Sequence, residues 1–208
     1  MPAVRPVAIL GGVRIPFCRQ NTAYADVGNL GMSVRTLGAL VERFGLHGQQ
    51  LGEVAMGAVI KHPSDWNLAR EATLSSGLSP LTPGLTLQRA CGTSLDALVT
   101  VANKFALGQI EAGIGGGSDT TSDVPIVYGR SLRGRLLAAN RARSMKERIA
   151  AFKGFRLSEL KPDFPGVAEP RTGKSMGQHC EDMARQWNVS RDSQDEWAVS
   201  SHRKLAAA

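Results

Sequence analysis

Cysteine is scarce: Cys18, Cys91 and Cys180 are the three in 208 residues. They are too few and too scattered for a disulfide framework or a zinc cluster. The four histidines, His47, His62, His179 and His202, show no metal-ligand spacing, so no metal is expected. No apolar run approaches the roughly twenty residues of a membrane span. Nothing at the start of the chain reads as a secretory signal, because MPAVRPVAIL passes directly into a strand-like run. A reducing, cytoplasmic compartment is the expectation that follows. Aromatic residues make up only 5%, whereas glycine reaches 23 residues with no repeating period. That excludes a collagen-like chain and fits tight turns between strands and helices. The run Gly115-Gly116-Gly117 is not a dinucleotide-binding fingerprint, since it opens onto Ser118-Asp119 rather than a helix of the right pattern. Glycine there is expected to let another backbone pass close by.

Charge is present but uneven. Residues 130–174 hold twelve Lys and Arg against four Asp and Glu, a net +8, while the whole chain carries +7. The basic character therefore belongs to one segment. General nucleic-acid binding is not expected, and a local interaction patch is.

Taken in order, residues 7–10 read as a first buried strand. Leu30, Val34, Leu37, Val41 and Phe44 repeat at helical spacing, with Gly45 as a stop. Residues 53–60 read as a second strand, and residues 67–76 as a short helix stopped by Gly77. Residues 84–88 alternate as a strand should, and Leu95, Leu98, Val99, Ala102 and Phe105 then mark one face of a helix that Gly108 can end. Residues 110–114 suit the next strand. Strands alternating with helices predict parallel βαβ units in a layered α/β fold.

Residues 130–174 follow, with room for one or two helices, and are too long for an ordinary connection. A helix is expected from Met176 to Trp187 and a last one after Ser190, a good N-cap. The chain stops at Ala208 inside that helical pattern, which reads as a partial chain. The expected division is an N-terminal core over 1–122, an inserted basic loop region over 123–175, and return helices of the first domain over 176–208.

Cys91 falls at a strand-to-helix turn. Free backbone N–H groups and the helix dipole there favour a thiolate, a competent nucleophile for acyl groups. The plainer reading is a buried cysteine acting as a small hydrophobe. Cys180 beside His179 is a poor dyad, because helix neighbours point about 100° apart. His47, His62 and His202 read as solvated surface groups.

Four segments taken together resemble the thiolase family. They are Asn67-Leu68-Ala69-Arg70 with Gly77, then Arg89-Ala90-Cys91 before a helix, then Gly115-Gly116-Gly117-Ser118-Asp119 with Ser122 and Pro125. The fourth is Met176-Gly177 with Glu181, continued by Val189-Ser190-Arg191-Asp192, Gln194-Asp195 and Ser201-His202. The likeness is nearest to the thiolase subunit of fatty-acid-oxidation trifunctional complexes, on Ser122-Asp123-Val124-Pro125-Ile126 and Pro165-Gly166-Val167-Ala168-Glu169. It implies a thiolase-like layered α/β fold, here the N-terminal half with its basic inserted loop region. It also implies an acyltransferase that cleaves or forms 3-oxoacyl-CoA through an acyl-Cys91 intermediate.

CoA and acyl-CoA would then be substrates, with no bound cofactor, and Met176 would lie near the acyl pocket. A homodimer or larger oligomer, a multienzyme partner subunit and peripheral membrane contact are the partners this implies. The family's second cysteine and its histidine motif belong to a second half and have no counterpart here. The family's usual Cys-x-Ser-Gly is Cys91-Gly92-Thr93-Ser94 in this chain, a departure that keeps an acyl-CoA- or lipid-binding protein without turnover as the alternative. Condensing chemistry of the ketoacyl-synthase kind is a third reading, which the Asn67 helix and the Met176 block disfavour.

Overall fold

The computed structural model describes residues 4–164, 166 and 168–207. It divides into two compact units, Met1–Pro125 and Ile126–Ala208. The break thus falls after Pro125, three residues into the expected insertion, and the rest of that insertion shares the second unit with the expected return helices.

In the first unit, helix α1 (Asn29–Arg43) is followed by strand β1 (Glu53–Gly57), helix α2 (Leu68–Leu74), strand β2 (Gly84–Thr86), helix α3 (Thr93–Ala106) and strand β3 (Gly113–Gly117). The three strands form a parallel sheet in the order β2-β1-β3, with Val54 opposite both Gly84 and Ile114. β1 is buried along its whole length. A strand covered on both faces needs apolar residues at every position rather than an alternation, which is what Val54-Ala55-Met56 supplies. Val54 and Met56 pack with Leu37 and Val41 of α1 and Ala69 and Ala72 of α2. Ala55 faces the other way, against Ala97 and Val101 of α3. The sheet is therefore the middle of three layers. Fully burying Val41, Val54 and Leu68 contributes about 1.5–3 kcal/mol each.

The helices stop where their glycines allow. Gly45, Gly77 and Gly108 take φ of +62°, +91° and +72°, the left-handed conformation that ends a helix. α2 begins at Asn67, whose Oδ1 accepts from the Arg70 N–H at 3.0 Å.

Two expectations change. Residues 7–10 form no strand, and Val7, Ile9 and Leu10 are exposed. Among the described residues no strand offers this run a neighbour, and an apolar run becomes a strand only when its backbone is paired. The segment is instead held nearby by Arg5, which donates to the Phe105 and Ile110 carbonyls and lies over the Phe105 ring. The third strand also starts later than expected, at Gly113 rather than Ile110, and takes in the glycine run. A Cβ on Gly115 would stand 2.7 Å from the Leu98 Cα, so α3 lies directly on the strand backbone. The glycines permit the close approach expected of them.

The second unit pairs β4 (Val127–Tyr128) antiparallel with β5 (Pro162–Asp163). It holds helices α4 (Arg130–Arg141), α5 (Met145–Ala150), α6 (Met176–Gln186) and α7 (Arg191–Ala207). Ser144 and Ser175 cap α5 and α6 with their side chains, and Ser175 forms a reciprocal capping box with Gln178. Ser190 accepts from the Ser193 N–H at 3.2 Å, as its N-cap role requires. Between α4 and the turn at residues 157–160, Arg135 forms an ion pair with Glu159 at 2.8 Å. The same guanidinium donates to the Lys153 and Gly154 carbonyls. Pro165 and Val167, part of the motif quoted above, lie outside the described residues.

Candidate active site

The end of β2 builds the site. After Thr86 the chain continues along the sheet for one more hydrogen bond, from the Leu87 N–H to the Met56 carbonyl at 3.2 Å. It then reverses through Arg89-Ala90-Cys91-Gly92 into α3. Ala90 takes φ +42°, a left-handed conformation that an L-residue with a Cβ adopts at a cost. Cys91 follows it at once and is exposed. In this chain it is therefore not packed as a small buried hydrophobe.

Thr93 closes the turn. Its Oγ1 accepts from the Arg89 N–H at 2.8 Å and donates to the Ala90 carbonyl at 2.7 Å. The Gly92 N–H reaches the Arg89 carbonyl at 2.9 Å. Thr93 itself is only 4% exposed, so these bonds are shielded from water. Across the turn, Arg89 and Asp96 pair at 3.3 Å. Cys91 therefore sits two residues before the first helical position of α3, and the Thr93 N–H that opens the helix is given to the Ala90 carbonyl at 3.1 Å.

Neighbouring strand ends enclose the turn with backbone rather than side chains. A Cβ on Gly57 would lie 1.9 Å from the Leu87 carbonyl oxygen and 2.6 Å from the Thr93 Cγ2. A Cβ on Gly117 would lie 2.6 Å from the Gly57 carbonyl oxygen and 2.9 Å from Ser94 Oγ. Ser94 thus has room because residue 117 is glycine. Beyond β3, Ser118 donates through Oγ to the Asn29 carbonyl at 3.0 Å, and its N–H reaches the Gly57 carbonyl at 3.0 Å. The Asp119 carboxylate accepts the N–H groups of Val59 and Ile60, each at 2.9 Å. These bonds tie the loops after β1 and β3 together at the carboxyl ends of the strands, the end at which open α/β sheets bind ligands.

His62 differs from its expected role. It is half-buried, and its Nε2 stands 3.0 Å from Asp123 Oδ1. The Asp123 carboxylate lies against the start of α1: its Oδ2 is 2.7 Å from where a Gly28 Cβ would stand. Negative charge at a helix N-terminus is favourable. Nothing local in the sequence signals this pair, whose members are 61 residues apart. Asp119 and Thr93 were likewise not singled out for these roles, although a threonine at a helix start is a recognisable capping signal.

Met176 belongs to the second unit. It is the first residue of α6 and is 57% exposed. His179 bonds to Thr172 Oγ1 at 3.0 Å rather than to Cys180, in keeping with the poor geometry expected of adjacent helix positions.

The first unit is a three-layer α/β domain that presents a cysteine from a strained turn at the carboxyl end of a parallel sheet. The sequence model "Thiolase, N-terminal domain" matches residues 7–208, and the chain belongs to the thiolase family. It is 37% identical over 196 residues to the 3-ketoacyl-CoA thiolase of Pseudoalteromonas translucida (strain TAC 125), covering 94% of this chain and 45% of that one. It is 36% identical over 202 residues to the 3-ketoacyl-CoA thiolase of Escherichia coli (strain 55989 / EAEC), covering 97% and 46%. The chain spans about half the length of the curated relatives it matches. Among solved structures, the Bacillus anthracis acetyl-CoA acetyltransferase superposes with a TM-score of 0.66 at 24% identity, over 92% of this chain and 43% of that one. That likeness shows the fold.

Proposed function

We propose that this chain supplies the nucleophile-bearing part of a thiolase that transfers acyl groups between 3-oxoacyl-CoA and CoA. The observation that carries the reading is Cys91, exposed and held by a strained, Thr93-clamped turn directly before α3. In the cleavage direction the Cys91 thiolate attacks the 3-oxo carbonyl carbon. The C2–C3 bond breaks, its electron pair stays on C2, and protonation there releases acetyl-CoA. The acyl group remains as a thioester on Cys91 until the sulfur of a second CoA takes it and frees the cysteine. The backbone N–H of Cys91 itself, just before α3, is suited to supply one donor to the developing oxyanion. Met176 is proposed as part of the acyl pocket, with the basic region of the second unit as an inserted loop. An oligomer, a multienzyme partner and a place in fatty-acid oxidation are part of the same proposal.

Thr93 and Ser94 are the departures that favour binding without turnover. Thr93 keeps the turn closed through two hydrogen bonds, and Gly117 accommodates Ser94. Both therefore fit a working elbow. The test incubates the longer protein with a 3-oxoacyl-CoA and weighs it by mass spectrometry. An acyl adduct that maps to Cys91, and is absent from Cys91→Ala, is the expected result. Tight binding without an adduct would establish the binding protein instead.

A further inference from the structure

The bonding of the parallel sheet does not end with its strands. On one side of β1 the Leu87 N–H reaches the Met56 carbonyl at 3.2 Å, and on the other the Ser118 N–H reaches the Gly57 carbonyl at 3.0 Å. Past these two bonds, side chains take over from the backbone. Val59 is gripped from both sides. Its N–H and that of Ile60 are accepted by the Asp119 carboxylate at 2.9 Å. Its carbonyl accepts from Gln88 Nε2 at 3.2 Å. Gln88, Val59 and Asp119 each stand two positions beyond the end of their strand, after Thr86, Gly57 and Gly117. The two side chains thus add one more rung across all three strands.

That rung is anchored in the fold. The Ile60 carbonyl accepts from Asn29 Nδ2, and the Asn29 carbonyl accepts from Ser118 Oγ at 3.0 Å. Asn29 is only 2% exposed, so the ring through Asn29, Ile60, Asp119 and Ser118 fixes the 59–60 backbone against the start of α1. Gln88 draws on this fixed point from three residues before Cys91. Between them lies Ala90 at φ +42°, and a strained residue keeps its conformation only where its surroundings over-determine it. Thr93 and Asp96 hold the turn from α3. Among the described residues, the Gln88 bond is the one hydrogen bond that ties residues 88–92 to the loop of another strand. Gln88 and Asp119 are both exposed, so truncating either removes little packing.

We propose that Gln88 and Asp119 are positioning residues for Cys91: Asp119 fixes the Val59 and Ile60 N–H groups, and Gln88 holds the start of the Cys91 turn against the Val59 carbonyl. The inference rests on the acyl-transfer role proposed for Cys91, and one of its two readouts does not use that reaction. The first readout is fluorine NMR of a trifluoromethyl group attached to Cys91 in the 208-residue chain, with Cys18→Ser and Cys180→Ser. A single line is expected from the parent. Gln88→Met, which keeps the shape and loses the donor, is expected to shift or split it, as is Asp119→Ala. The second readout is the rate at which a 3-oxoacyl-CoA acylates Cys91 in the longer protein. Each variant is expected to lose about 10- to 100-fold in that rate, the scale of a misplaced reacting group. KM is expected to stay within about twofold, since ground-state binding is untouched. The double variant is expected to lose no more than the worse single one, because both act through Val59. Gln20→Met removes a bond of the same kind, from Gln20 Nε2 to the Thr121 carbonyl at 2.8 Å, and is expected to change neither readout. An unaltered fluorine line in Gln88→Met would overturn the proposal, as would additive losses in the double variant or an equal loss in Gln20→Met. A loss that tracks unfolding on circular dichroism would make the two residues structural only. Altered fluorine lines in a parent that forms no acyl adduct would uphold the hold on Cys91 and overturn the acyl-transfer reading alone.

Discussion

Ala90 holds a conformation that glycine would take without steric cost. Ala90→Gly is therefore expected to raise stability by about 1 kcal/mol, net of glycine's greater freedom in the unfolded chain. The same change frees the turn before Cys91, so a fall in kcat of the longer protein should accompany the rise in Tm. A variant that gains stability and keeps full activity would separate the strain from the chemistry. Thr93→Val removes an acceptor from the Arg89 N–H and a donor to the Ala90 carbonyl in a shielded setting. A loss of about 1–3 kcal/mol is expected on chemical denaturation. Gly57→Ala pushes a Cβ against the Leu87 carbonyl oxygen and should cost about 3 kcal/mol, the upper end of overpacking, because backbone cannot step aside as a side-chain tip can. The turn that presents Cys91 was legible in the sequence because a strand, a cysteine and a helix face are all local signals. The clamp around it was only half legible: a threonine at a helix start suggests capping, but not the backward reach to residue 89. The His62–Asp123 pair was not legible at all, because it joins loops that only the folded sheet brings together.

Among the elements, the lock between α4 and the 157–160 turn has a pH signature. The Arg135 guanidinium and the Ser131 hydroxyl hold the Glu159 carboxyl down to about 2, from an ordinary 4.5. A carboxyl lowered on folding contributes stability that is complete above 4.5 and is lost as the pH falls from there through about 2. Lys174 lowers Asp182 through its hydrogen bond, and Thr172 lowers Glu169, with the same sign. Thermal unfolding at neutral pH and at pH values inside that window should show the loss, and Glu159→Gln should flatten it. A variant as acid-sensitive as the parent would place the effect elsewhere. The helices were the most readable elements, since apolar spacing and left-handed glycines mark both face and stop. Strands were read less well for a physical reason. Residues 7–10 are apolar enough for a buried strand, but a strand requires a neighbour, and periodicity in one segment does not report one. β3 was placed too early because the glycines that form it carry no side-chain pattern; they are there to let α3 approach.

For the molecule as a whole, the chemistry proposed for Cys91 needs an acid and base to handle the C2 carbanion and the incoming thiol. Of the four histidines, His62 is engaged by Asp123 and His179 by Thr172. The 208-residue chain, about half the length of its relatives, is therefore expected to give no detectable turnover of a 3-oxoacyl-CoA when assayed beside the longer protein. Loss of general acid–base catalysis alone costs about 10²–10⁴-fold. Robust activity from the short chain would show that its own residues complete the reaction. The parallel sheet also sets a schedule for synthesis. β1 pairs Val54 with Gly84 and with Ile114, partners that are made 30 and 60 residues later. At a typical elongation of about 5–20 residues per second, the second partner arrives roughly 3–12 s after the first strand has been made. During that interval Val54 and Met56 have no completed sheet to enter. A nascent chain halted before Gly113 should engage holding chaperones strongly, and one released after Gly117 should do so far less.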